Sequence, residues 1–240
     1  RTGNHNKNTI MATYDTIFRS EKIRAELKPD YIMRFGAMPI SKHYLFYVTE
    51  HSDVPQFVIE NNDEVREPTN HRSHYIIADG TQLSKDLLPY LTKSNESTTW
   101  LNKWTRMEKI AIEELKAATN ETLTEGITVR KVVESLRNRD HLFVANSMPV
   151  RDIDTFLITT NKNVKIYANR GVSGIDGTMS SALGVATMGD KVTLIIGDLS
   201  FYHDMNSLFI AMRYKLPVTI VLINNNGGGI FSFLPQANDE

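Results

Sequence analysis

Cysteine is missing from all 240 residues, which rules out disulfide stapling and every thiolate metal site. No apolar run approaches the length needed to span a bilayer. Neither sign of charge is in excess: 27 Lys and Arg against 28 Asp and Glu leave a formal net charge of −1. That balance gives no reason to expect nucleic acid or an anionic membrane as a partner. Internal repeats, low-complexity tracts and the GxGxxG dinucleotide spacing are also absent. Nothing at the start reads as a signal peptide, although the chain begins at Arg1 rather than methionine. A cytoplasmic enzyme is the expectation. With 41% apolar and 23% charged residues, the chain has enough material for one large or two modest globular cores. The opening RTGNHNKNTI reads as a loop feeding a helix, and the closing LPQANDE stops just after a strand. A piece of a longer protein is therefore expected.

What is present centres on residues 192–236. The run VTLII at 192–196 reads as a fully buried parallel strand, residues 201–214 carry apolar side chains at helical spacing, and VTIVLI at 218–223 reads as a second buried strand after Pro217. This is a strand–helix–strand unit, so Gly197-Asp198 and Asn224-Asn225 both fall at carboxyl ends of parallel strands. Ligands of open α/β sheets bind at that edge. Asp198 offers a carboxylate, Asn225 an amide oxygen and the turn Gly227-Gly228-Gly229 unobstructed backbone carbonyls. These are hard oxygen donors of the kind Mg²⁺ takes, too few to form a cage, so water and a phosphorylated ligand would complete the shell. A helix starting near Ser200 would add N–H groups that favour an anion. Taken singly, Asp198 reads better as a helix cap and the Asn/Gly run as an ordinary turn. Taken together at one sheet edge, they predict a magnesium–diphosphate site.

Elsewhere the pattern predicts an amphipathic helix over 8–27, strand 31–35, helix 41–50 capped by Ser41, strands 56–59 and 75–78, and helix 82–91. The polar stretch TKSNESTT at 92–99 marks a boundary, giving domains 1–97 and 98–240. The second domain is expected to hold helices 99–119 and 127–136, strand 141–145, a short helix at 153–159, strand 164–168, helix 178–188 and the unit described above. The fold class is α/β, with two parallel-sheet domains carrying helices on both faces.

Strand ends also supply Ser147 and Arg151 in NSMPVR and Arg170 in NRG. Arginines beside a diphosphate site suit a substrate bearing carboxylates, although a solvated surface arginine is the common alternative. The glycines of GVSGIDG at 171–177 either make a tight connection or let backbone approach a ligand. His71 and His74 lie in a polar stretch without a third ligand and are expected at the surface. His203 is expected on a helix face, Asp204 as a cap or salt bridge within its own turn, and Trp100 and Trp104 as core anchors of a helix.

Gly197-Asp198, followed 27 positions after the aspartate by Asn225 in an Asn-Asn pair, resembles the signature of the thiamine-diphosphate-dependent enzymes. Leu199 stands where that signature has a glycine. The flanking GDLSFYHDMNSL and NNNGGGIFSFLP, with NRGVSGIDGTMSSALG, NSMPVRDID and, more loosely, PDYIMRFGAMPISK, resemble the menaquinone-pathway branch of the family. The resemblance implies thiamine diphosphate held through Mg²⁺ (or Mn²⁺) by Asp198, Asn225 and the Gly227 carbonyl. Gly174, Ile175, Gly197, Leu199 and Ser200 would also touch the cofactor. Ser147, Arg151 and Arg170 would hold substrate carboxylates and hydroxyls, while Ile175 and Phe231 shape the pocket. The implied reaction decarboxylates 2-oxoglutarate and adds the succinyl carbanion to isochorismate, giving 2-succinyl-5-enolpyruvyl-6-hydroxy-3-cyclohexene-1-carboxylate. Residues 1–97 would be the central non-catalytic domain and 98–240 the cofactor domain, each incomplete. The family assembles as dimers or tetramers with the site between subunits, and its activating glutamate sits on a pyrimidine-binding domain that no stretch here resembles. The 240 residues alone are therefore expected to be inactive. An acetolactate-synthase-like lyase and a non-catalytic ligand-binding α/β module remain the alternatives.

Overall fold

The computed structural model describes residues 9–64, 67–69, 71–91, 99–118 and 123–233. Contacts divide the chain into one unit spanning Thr13–Ala111 and another made of residues 9–12 together with those from Ile112 onward. The expected boundary at 97/98, the chain start at 1–8 and the LPQANDE end lie outside the described residues.

The first unit opens with helices α1 (Tyr14–Ile17) and α2 (Glu21–Glu26) rather than one helix over 8–27. The break has a local cause: Phe18 ends α1, and the Ser20 hydroxyl accepts from Ile23 N to start a new helix. Strand β1 (Ile32–Phe35), helix α3 (Lys42–Glu50), strands β2 (Gln56–Glu60) and β3 (Ser73–Ile77) and helices α4 (Gly80–Leu87) and α5 (Thr99–Ala117) follow. Ser41 caps α3 as expected, accepting from Tyr44 N at 3.1 Å. The sheet runs β1-β2-β3, every pair parallel. His74 lies within β3, stacked on Phe57 with ring centroids 5.1 Å apart, and not in a polar loop. Its alternation in a strand was masked by the polar residues before it. Phe18 stacks on Tyr47 at 4.1 Å and meets Trp104 edge-on at 5.4 Å, so Trp104 is a core anchor, whereas Trp100 stays 41% exposed.

The second unit comprises α6 (Glu125–Ser135), β4 (His141–Val144), α7 (Met148–Phe156), β5 (Lys165–Tyr167), α8 (Thr178–Ala186), β6 (Val192–Gly197), α9 (Asp198–Asp204), α10 (Leu208–Tyr214) and β7 (Val218–Ile223). Its sheet has the order β5-β4-β6-β7 and is parallel throughout. The apolar runs of β4 and β6 follow from burial on both faces, whereas β7, expected as a second buried strand, lies at the sheet edge and buries only Ile223. Leu142, Val144 and Ile195 pack with Val129 and Val133 of α6 and Ile153 of α7. Phe143, Leu194 and Ile196 point the other way, against Met179, Ala182 and Leu183 of α8. Each fully buried branched side chain of this kind contributes about 1.5–3 kcal/mol. Gly126 lets α6 approach α7: a Cβ there would lie 2.5 Å from the Phe156 ring.

Two expected helices are placed differently. The short helix expected at 153–159 begins at Met148, immediately after β4, with Pro149 in its first turn where a missing N–H costs nothing. The helix expected over 201–214 is broken into α9, a 3₁₀ turn at Met205–Ser207 and α10. Among the described residues no helix is long and apolar enough to cross a membrane.

Candidate functional site

Because β4, β5, β6 and β7 are mutually parallel, their carboxyl ends share one edge of the sheet. The chain leaves β4 for β5 on one side and returns to β6 on the other, which opens a crevice at the point where the order reverses. Asn146-Ser147, Asn169-Arg170, Gly197-Asp198 and Asn224-Asn225 all follow strands at this edge.

Asp198 reaches across from β6 to the turn after β7. Its Oδ2 accepts from Gly227 N at 2.8 Å and its Oδ1 from Leu199 N at 2.7 Å. Gly227 and Gly228 hold φ of 88° and 68°, a backbone that side chains disfavour. The Leu199 side chain lies against this turn, 3.6 Å from where a Gly227 Cβ would stand, and the Phe231 ring covers Gly228. Asn225 is fixed from two sides: its Nδ2 donates to Glu125 Oε1 at 2.9 Å and its Oδ1 accepts from Gly229 N at 3.4 Å. Among the described residues no group of three or more His, Cys, Asp or Glu forms a metal cage. The edge instead offers one carboxylate, one amide oxygen and backbone carbonyls. Each carboxylate oxygen of Asp198 accepts one N–H and keeps a second lone pair for a cation.

The glycine loop at 171–177 is tied to the same edge by its carbonyls. Ser200 Oγ donates to Ile175 O at 2.6 Å, and Asn146 Nδ2 donates to Gly174 O at 2.7 Å and to Asn169 O at 2.8 Å. The Ser200 hydroxyl is 4% exposed at the residue level and thereby committed to the loop. Ser147 holds φ 71° and ψ −131°, and Ser173 and Asn226 hold φ of 66° and 64°. Strained backbone of this kind gathers where a site over-determines its geometry.

Arg151 sits on α7, one turn after Ser147, and its Nη1 donates to Ser147 O at 2.6 Å. Arg170 Nη1 donates to Asn146 Oδ1 at 2.6 Å. Burial pushes the Arg170 guanidinium below its usual range, and the charge of Arg151 pushes the same way. The two guanidiniums are near enough to repel each other.

The candidate site residues named from the sequence therefore lie on the second unit, around one sheet edge. Sequence reasoning missed Asn146 as a hub and Glu125 altogether. It also misplaced Asp204, whose carboxylate accepts not within its own turn but from Ser180 N (2.7 Å) and Ser180 Oγ (2.9 Å) in the first turn of α8. An N-terminal turn with free N–H groups is a better partner than a neighbour on a short helix. His203 lies on an exposed face of α9.

Comparison with known proteins assigns residues 4–144 to the model described as the middle domain of thiamine pyrophosphate, and residues 153–239 to the C-terminal TPP binding domain of thiamine pyrophosphate enzymes. The chain belongs to the thiamine pyrophosphate enzyme family. This thiamine pyrophosphate enzyme chain is 50% identical, over its whole length, to a protein of Oceanobacillus iheyensis named 2-succinyl-5-enolpyruvyl-6-hydroxy-3-cyclohexene-1-carboxylate (SEPHCHC) synthase, of which it covers 42%. It is 42% identical over its whole length to a SEPHCHC synthase of Geobacillus thermodenitrificans, covering 41% of that protein. Against a SEPHCHC synthase of Listeria monocytogenes, 96% of the chain matches at 40% identity, covering 40% of the relative. The chain thus spans about two-fifths of the curated relatives it matches. The edge just described lies across the matched TPP binding domain and the residues immediately before it.

Proposed function

We propose that this chain is the central and cofactor-binding portion of a SEPHCHC synthase, which decarboxylates 2-oxoglutarate and adds the succinyl unit to isochorismate in menaquinone biosynthesis. The observation carrying this reading is the hydrogen bond from Gly227 N to Asp198, which joins that carboxylate to the glycine turn whose Gly229 N holds the Asn225 amide oxygen, in a chain similar to SEPHCHC synthases. These donors fit a hard divalent cation such as Mg²⁺ or Mn²⁺: Asp198, Asn225 and the Gly227 carbonyl would hold it, leaving room for diphosphate oxygens.

When bound, thiamine diphosphate supplies the nucleophilic carbon and electron sink that a 2-oxo acid decarboxylation requires. The chain's own residues bind, orient and shield. Gly197, Leu199, Ser200, Gly174 and Ile175 wall the cofactor, with Ser200 and Asn146 holding the Gly174–Ile175 backbone by its carbonyls. Leu199 and Phe231 lie against the glycine turn and give the diphosphate end an apolar wall. Arg151 and Arg170 receive substrate carboxylates, and the Ser147 hydroxyl adds a neutral hydrogen bond between them. An anionic substrate relieves the repulsion between the two guanidiniums, so binding energy is concentrated on acids with more than one carboxylate.

In this reading residues 1–97 form the central non-catalytic domain and 98–240 the cofactor domain of a cytoplasmic dimer or tetramer whose site lies between subunits. The isolated 240 residues are inactive, because the activating glutamate belongs to a pyrimidine-binding domain. The test is a substrate panel on the full-length protein with thiamine diphosphate and Mg²⁺. Carbon dioxide release from 2-oxoglutarate, with product formed only when isochorismate is added, is expected. Turnover of pyruvate with indifference to isochorismate would overturn the assignment.

A further inference from the structure

Glu125 stands in the first turn of α6, 100 positions before Asn225, and among the described residues carries the contact that fixes the Asn225 amide from its nitrogen side. A carboxylate only accepts hydrogen bonds and a backbone N–H only donates. With Glu125 on one side and Gly229 N on the other, a single orientation of the amide satisfies both neighbours: Nδ2 toward Glu125, Oδ1 toward the glycine turn. The space around the amide is equally restrictive. A Cβ on Gly229 would stand 2.5 Å from Asn225 Nδ2 and 2.9 Å from Cγ, so the amide has been given its place by a residue without a side chain.

We infer that Glu125 is a positioning residue for the cation site, holding Asn225 so that its oxygen, not its nitrogen, faces the Asp198–Gly227 corner. This rests on the metal reading proposed above. An Asn ligates a hard cation through oxygen alone, so a flipped or wandering amide removes a donor and puts two N–H groups in its place. The carboxylate also polarises the amide it accepts from, placing more negative charge on Oδ1 and making it a better donor to a cation. Outer partners of metal ligands typically carry 10–100-fold in affinity.

The structural alternative is that Glu125 only complements the N-terminus of α6, whose cap is Thr124 accepting from Ile127 N at 3.3 Å. The two roles separate in Mn²⁺ affinity, measured by electron paramagnetic resonance on the full-length protein at saturating thiamine diphosphate. Glu125→Ala should weaken Mn²⁺ binding about tenfold or more. Glu125→Asp, which keeps the helix-end charge but retracts the acceptor, should do the same and serves where the alanine variant folds poorly. Glu125→Gln keeps an oxygen for Asn225 Nδ2 and should recover affinity to within about threefold, given that the hydrogen bond is kept and only its charge is lost. Thr124→Ala should lower the melting temperature and leave Mn²⁺ affinity alone. Asp198→Ala separates this inference from the reading beneath it. If Asp198→Ala abolishes Mn²⁺ binding while Glu125→Ala and Glu125→Asp stay within twofold of wild type, the positioning role is wrong and the site stands. If Asp198→Ala binds Mn²⁺ normally, the site itself is wrong and the role goes with it.

Discussion

Asn146 is joined to Arg170 by a 2.6 Å hydrogen bond from the guanidinium Nη1 to the buried amide oxygen. The other end of the same amide donates to Asn169 O and Gly174 O, so one side chain, 2% exposed, ties the loop after β4 to the loop after β5. Asn146→Leu should leave two carbonyls and a guanidinium without that partner. Stability should fall by roughly 1–3 kcal/mol, and the KM for a dicarboxylate substrate should rise more than that for a monocarboxylate. Urea denaturation and the two KM values check it; equal rises would mean that Arg170 is not held for a carboxylate.

Gly229→Ala should act on the site and spare the fold. The added methyl falls 2.5 Å from Asn225 Nδ2, and the movable neighbour is that amide, at the expense of its bond to Glu125. Metal-dependent binding of thiamine diphosphate should weaken about tenfold, in the range for losing a metal ligand's support, with an unchanged circular dichroism spectrum. Calorimetric titration with and without Mg²⁺ measures it, and unaltered affinity would show that Asn225 can give way without consequence.

Gly126→Ala should do the reverse. Its methyl would meet the Phe156 ring at 2.5–2.6 Å, in the contact between α6 and α7. Overpacking of this kind costs about 1–3 kcal/mol. Gly184→Ala, on an exposed turn of α8 where nothing lies within 4 Å of the new methyl, should stabilise by about 0.5–1 kcal/mol. Melting temperatures of the pair should move in opposite directions, and a shared direction would contradict the packing argument.

His43 carries a pH signature in the first unit. Burial holds its imidazole below the ordinary histidine range; Asp15 opposes the shift, while Arg19, Arg24 and Lys42 add to it. The unfolded chain therefore binds this proton at a higher pH than the folded one. The stabilisation is complete above about pH 6.5 and is lost as pH falls from there through the lower folded value. His43→Gln should flatten the stability profile of the full-length protein below pH 6.5. A difference between wild type and variant that is independent of pH would remove His43 as the cause.

Much of the edge was legible because a parallel strand buried on both faces, as β6 is, reads as an unbroken apolar run; β7 falls at 218–223 as its sequence suggests, but as an edge strand in which only Ile223 is buried rather than as a second buried strand. Strand ends then carry Asp198 and Asn225 to the same side by topology alone. What periodicity does not register is local competition for hydrogen bonds. Ser20 splits one expected helix, and a 3₁₀ turn at Met205–Ser207 splits another whose apolar residues Phe209, Met212 and Tyr214 are in fact 64–77% exposed. Pro149 was a readable helix start, since proline belongs in a first turn. Glu125 and Asn146 were not readable in this way. Their partners lie 100 and 24 positions away, and a polar residue's choice of partner leaves no period in the chain.

The most direct measurement is a titration of the full-length protein with thiamine diphosphate, with and without Mg²⁺, in wild type and in Asp198→Ala. Asp198 is the only side chain observed to bridge the ends of β6 and β7 through Gly227 N among the described residues. Wild-type binding should tighten sharply when Mg²⁺ is added, and the variant should lose that response while keeping its fold. A variant that still binds the cofactor in a Mg²⁺-dependent manner would contradict the account.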